Sequence, residues 1–133
     1  MKVLEIEGIG PVYAAKLQAV GVRTTEALMQ AGCGPEERKQ LAAAAGVSDA
    51  LVLEWVNRAD LIRIKGVGSE YSDLLESAGV DTVVELTNRV PENLLATLLE
   101  VNSQKKLVRK TPGLKQVKSW VAQARKLPRI LTY

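Results

Sequence analysis

Ile6-Glu7-Gly8-Ile9-Gly10-Pro11-Val12-Tyr13 recurs as Ile64-Lys65-Gly66-Val67-Gly68-Ser69-Glu70-Tyr71, an offset of 58 residues. The register continues through Leu17 and Leu75, Gly21-Val22 and Gly79-Val80, Thr24 and Thr82, and Leu28 and Leu86. A second block, Val52-Leu53-Glu54-Trp55-Val56, recurs as Val117-Lys118-Ser119-Trp120-Val121, with Ala59 matching Ala124, but at an offset of 65. The second copy therefore carries about seven extra residues, around 103–111, and these include Lys105, Lys106, Arg109 and Lys110. A repeat of this length makes each copy one supersecondary unit, and the expected division is 1–62 and 63–133.

Within each copy the spacing is helical. Residues 11–19 and 69–78 place apolar side chains at helical intervals and end at Gly21 and Gly79, suited to a left-handed C-terminal cap. Short helices follow, opened by Thr24 or Thr25 and by Asp81 or Thr82, whose oxygens can accept the first-turn amides. Pro35 and Pro91, each followed by carboxylates, suit the first position of helices running to about Ala45 and Val101. The fourth helices are expected near Ser48 and Thr111-Pro112, with Leu51, Leu61, Leu114 and Val117 facing inward. The sequence leaves open whether 127–133, which leave the helix at Pro128, pair with 2–6 as a strand. The expected fold is all-α, two pseudo-repeats of about four helices each.

Composition removes several chemistries. There is one cysteine and no histidine among the 133 residues, so no internal disulfide, no familiar zinc site and no histidine base is available. The longest apolar run, 41–47, falls far short of the ~20 residues of a membrane helix. Lys2, Glu5 and Glu7 stand where a signal peptide would be apolar, and a cytoplasmic protein is expected. The net charge of +3 conceals an asymmetry: 104–133 hold nine basic residues and no acid, so that 1–103, with nine basic and fifteen acidic residues, stand at −6. Such a basic end suits nucleic acid or an acidic partner, or is a solvated helix neutralised by the acidic half of the chain.

The hydrophobic-x-Gly-hydrophobic-Gly turns carry the chemistry. Their glycines permit positive φ and close backbone approach. Ile9 and Val67 can anchor the turn in the core, leaving amides at a helix N-terminus that suit a phosphate oxygen. Trp55 and Trp120 are expected to pack in the core, Tyr13 and Tyr71 to support the turns from below, and Cys33, between Gly32 and Gly34, to sit in a helix–helix connection.

These residues resemble the helix-hairpin-helix family, whose members contact the DNA backbone through the Gly-hydrophobic-Gly turn without reading bases. The tandem copies are similar to the DNA-binding domain of the bacterial Holliday-junction branch-migration protein. The Gly-Val-x-Thr segments followed by a leucine also resemble the module in the C-terminal domain of the bacterial RNA polymerase α subunit. Over nearly its whole length the chain resembles an uncharacterised bacterial, largely cyanobacterial, family of that group.

The resemblance implies a DNA-backbone-binding module at Gly8 and Gly10 in the first copy and at Gly66, Val67, Gly68 and Ser69 in the second. The family often carries Lys or Arg two residues after the second glycine, where this chain has Val12 and Glu70. Glu5, Glu7, Glu70 and Asp73 add charge of the wrong sign for phosphate. The second copy is therefore the expected binder, with Arg63, Lys65, Lys105, Lys106, Arg109 and Lys110 supplying charge. Helix-hairpin-helix glycosylases need a catalytic Asp and a base-sized pocket in a larger protein, and no enzyme activity, metal or cofactor is expected. The alternative, from another class, is a structural or protein-interaction module that keeps the fold without binding DNA, as the photosystem II extrinsic subunit of similar fold does.

Overall fold

Helix boundaries fall where side chains or glycines can satisfy terminal backbone groups. Thr24 Oγ1 accepts from the Ala27 amide at 3.1 Å and Thr82 Oγ1 from the Glu85 amide at 3.4 Å, so each threonine caps the helix that follows it. Gly21 and Gly79, at φ 87° and 91°, each close a helix with the same pair of bonds. Val22 and Val80 amides donate to the Leu17 and Leu75 carbonyls at 2.9 Å, and the glycine amides to Gln18 and Glu76 at 3.0 Å.

The computed structural model describes residues 1–133 as a 3-10 turn, Val3–Glu5, and eight α-helices, with no strand. These are α1 Gly10–Ala19, α2 Thr25–Ala31, α3 Pro35–Ala45, α4 Asp49–Ile62, α5 Ser69–Ser77, α6 Val83–Thr87, α7 Pro91–Lys105 and α8 Leu114–Lys126. No helix is long and apolar enough to cross a membrane. The chain divides into two compact units, Met1–Asp60 with Ile130–Tyr133, and Leu61–Arg129.

The first unit buries Val3, Ile6, Ile9, Leu17, Leu28, Met29, Val52, Trp55 and Val56. Tyr13 of α1 packs on Trp55 of α4 with ring centroids 5.1 Å apart and planes inclined by 55°. The N-terminal segment pairs not with the C-terminal tail but with Arg23–Thr25, through an isolated bridge between Lys2 and Thr24. The tail has another seat. Thr132 donates its amide to the Cys33 carbonyl at 2.8 Å, Tyr133 its hydroxyl to Asn57 Oδ1 at 2.9 Å, and Leu131 is buried. Arg38, 6% exposed, donates to the Gly32 carbonyl at 3.0 Å and the Thr132 carbonyl at 2.8 Å, with its guanidinium 5.5 Å from the centre of the Tyr133 ring. Asp60 of α4 is buried and has an interaction partner.

In the second unit Leu61, Ile64, Val67, Leu74, Leu75, Val80, Leu86, Leu94, Leu98, Val117, Trp120 and Val121 form one buried cluster. Tyr71 of α5 packs on Trp120 of α8 at 5.2 Å and 54°. Two boundaries differ from the sequence reading. Helix α7 runs to Lys105, a turn beyond Val101, because no breaker intervenes before Lys106, which adopts φ 52° as its cap. A non-glycine residue there costs about 1 kcal/mol, offset by Asn102: its Oδ1 accepts from the Val108 amide at 3.0 Å and its Nδ2 donates to the Val108 carbonyl at 3.2 Å. Helix α8 begins at Leu114, not Pro112, with Gly113 as the cap residue and Gln116 Oε1 accepting the Gly113 amide at 3.0 Å.

Candidate nucleic-acid interface

Each Gly-x-Gly segment folds as a tight turn into a helix. Ile9 and Val67 are buried, and their amides donate to the Ile6 and Ile64 carbonyls at 3.1 Å. Gly8 and Gly66 take φ 89° and 95°, where a side chain would be strained. The next glycine separates the two turns. Gly10 is also left-handed, at φ 63°. Gly68 is extended, at φ −98° and ψ −163°, and serves as the cap residue of α5. Ser69, Glu70 and Tyr71 then open α5 with amides that have no acceptor within the helix. The first turn has Pro11 in the position of Ser69, and so one donor fewer.

A polar strap from the fourth helix of each unit fixes the turn, and the sequence reading misses both. In the first unit Arg58, 7% exposed, donates from Nη1 to the Glu7 carbonyl at 2.6 Å and pairs through Nη2 with Glu54 Oε1 at 3.3 Å. In the second, Gln123 Nε2 donates to the Lys65 carbonyl at 3.1 Å while its Oε1 accepts the Lys65 amide at 2.9 Å. Residues 58 and 123 carry the same 65-residue offset as the two tryptophans. That offset is the signal that could have found them, hidden by the change from Arg to Gln.

The basic residues separate into engaged and free. Arg63 donates to the Pro128 carbonyl at 2.6 Å and so serves the fold. Lys65, Lys105, Lys106, Arg109 and Lys110 are exposed. The Tyr71 hydroxyl donates to the Lys110 carbonyl at 2.8 Å, which brings the 106–113 loop against α5 three residues after Gly68. Lys105 and Lys106 end α7, and no bond ties them to the turn; Gly8 and Gly10 belong to the first unit. Among the acids, Glu5 Oε2 accepts the Lys2 amide at 2.9 Å, Glu7 and Glu70 are exposed, and half-buried Asp73 has a partner.

Comparison with known families matches residues 7–127 to a family described as a domain of unknown function, DUF4332. The chain belongs to DUF4332. The DUF4332 match begins at Glu7 and ends at Leu127, so it takes in both turns and both straps and leaves out Ile130–Tyr133. No curated protein and no solved structure matches the chain.

Proposed function

We propose that this chain is a non-catalytic module of the helix-hairpin-helix type, in two copies, that binds nucleic acid in the cytoplasm through the phosphate backbone and largely without sequence preference. One observation carries the reading. The opening of α5 presents free amides at Ser69 to Tyr71, and Tyr71 holds the exposed basic loop of Arg109 and Lys110 beside them. Amides at a helix start favour an anion, and lysines and arginines around them add the counterion-release term that drives backbone binding. The matched glycine caps, threonine caps, Tyr–Trp pairs and straps support two copies of one module.

The test is fluorescence anisotropy of labelled duplex and single-stranded DNA from low to physiological salt. The expected result is binding whose log–log salt slope corresponds to several phosphates, weakened by Gly66→Ala/Gly68→Ala and by Lys105→Ala/Lys106→Ala. Absence of binding at low salt overturns the reading. The alternative, a protein-interaction module, draws on the first turn, where Val12 is 69% exposed and Glu5 and Glu7 are exposed carboxylates. That surface favours an apolar contact over a phosphate, and the alternative predicts association that is insensitive to salt.

A further inference from the structure

Helix α8 has a face that neither the core nor the second turn uses. Lys115, Lys118, Ala122 and Arg125 follow one another at helical spacing, with Ser119 and Lys126 beside them. All six are exposed, while Val117, Trp120, Val121 and Ala124 on the opposite side are buried. The helix carries no acid. Lys118 meets Glu92 Oε1 at 3.8 Å, an exposed pair of little worth, and Arg125 Nε reaches the Thr87 carbonyl at 3.5 Å. Four cations thus border a strip floored by the small side chains of Ser119 and Ala122, and Lys115 and Lys126 mark its ends, about 16 Å apart along the axis. Gln123 Nε2 donates to Ser119 Oγ at 3.2 Å as well as to the Lys65 carbonyl, so exposed Lys65 stands at the edge of the strip.

The matching helix of the first unit is built differently. At the 65-residue offset Lys115, Lys118, Arg125 and Lys126 correspond to Ala50, Leu53, Asp60 and Leu61, without one cation. No residue of 51–62 is exposed, and Asn57, which matches Ala122, receives the Tyr133 hydroxyl at 2.9 Å. The fourth helix is covered in one unit; in the other it is bare and basic.

We propose that the outer face of α8 is a separate contact surface for nucleic acid, a track on which the phosphates of one strand run from Lys115 past Ala122 to Lys126, and that this track supplies most of the salt-dependent affinity. It rests on the nucleic-acid reading for its ligand, and it uses none of the residues of the second turn. The composition of the face selects the partner. Protein interfaces enrich aromatic residues and deplete lysine, serine and alanine at their cores, which are the residues found here. A helix that lies in a membrane surface needs its apolar side free, and the apolar side of α8 is in the core. Exposed lysines along a flat polar strip suit a strand of phosphates, where each contact releases counterions.

The test is anisotropy of a labelled DNA duplex across a range of salt, with Lys115→Gln/Lys118→Gln/Lys126→Gln beside the unmodified chain. Glutamine nearly matches lysine in helix propensity, and circular dichroism checks that the fold is kept. A charge-matched control, Lys2→Gln/Lys16→Gln/Lys39→Gln, changes three exposed lysines of the first unit. The expected result for the α8 variant is a log–log salt slope smaller by about 2–3, at roughly 0.9 per phosphate, and affinity lower by on the order of tenfold or more. The control should change far less, and Ala122→Lys should steepen the slope by about one. Equal effects of the two triple variants, or an α8 variant that binds as the unmodified chain does, overturn the proposal while binding through the turn survives. Absence of duplex binding at low salt overturns both. Retention on phosphatidylserine vesicles or polyglutamate without duplex binding likewise overturns both, and gives the face to a lipid surface or an acidic protein. If the α8 variant loses its helix signal, Ala122→Lys decides: an unchanged slope overturns the track.

Discussion

At Gly8 a side chain would first meet the Arg58 guanidinium, 3.7 Å from a Cβ, and at Gly66 it would meet the Trp120 indole nitrogen, at 3.2 Å. The backbone around both glycines is nearly the same, and the bond from residue 9 to 6 repeats from 67 to 64 at the same length. What differs is one strap residue and one residue after the second glycine. Arg58 turns the first site into a buried hydrogen-bonded contact; Pro11 removes a donor. Gln123 and Ser69 leave the second with its donors outward. A turn of this geometry is therefore a scaffold, and whether it becomes a binding surface depends on the few side chains that fill or vacate it.

The largest effects should test whether the two units are built alike. Trp55→Ala and Trp120→Ala should each cost about 3–5 kcal/mol, the range for deleting a buried aromatic, measured by urea denaturation; a cost below 1 kcal/mol for either would break the correspondence. Next come the straps. Arg58→Ala removes a buried bond from a charged donor and should cost about 1.5–3 kcal/mol, against about 0.5–1.5 for Gln123→Ala, whose bonds are neutral and exposed. Equal losses would mean that the two turns are held with the same strength. Thr24→Ala and Thr82→Ala should each cost about 1 kcal/mol as lost helix caps, read from the same denaturation curves. The smallest effect concerns binding: Glu70→Lys should steepen the salt slope by about one and raise DNA affinity several-fold, while Val12→Lys does less. A larger gain from Val12→Lys would shift the active turn to the first unit.

Much of the helical plan was legible because it depends on local chemistry. Thr24, Thr82, Gly21, Gly79, Pro35 and Pro91 act on backbone groups within a few residues of themselves, and each sits where its side chain or φ preference requires. Pro112 misled because a proline is as compatible with a loop before a helix as with its first turn. The candidate site was only half legible. The glycines announce the turn, but Gly10 and Gly68 adopt different conformations that the shared pattern does not distinguish. The straps, the Tyr71–Lys110 bond and the burial of Asp60 depend on residues tens of positions apart, for which local periodicity carries no information.

The seat of the C-terminal tail has a consequence for how the chain is made. Synthesis runs from the N-terminus, and domains generally fold as they emerge. The first unit appears first, yet the Thr132 carbonyl that receives Arg38, and the Thr132 amide that meets Cys33, arrive only after the whole second unit. Until then Arg38 keeps only its local bond to Gly32 and the apolar seat of Leu131 stays uncovered. The half that is translated first is thus the half that is completed last, and ribosome-bound chains ending before residue 130 should carry a first unit more open to protease than the released protein.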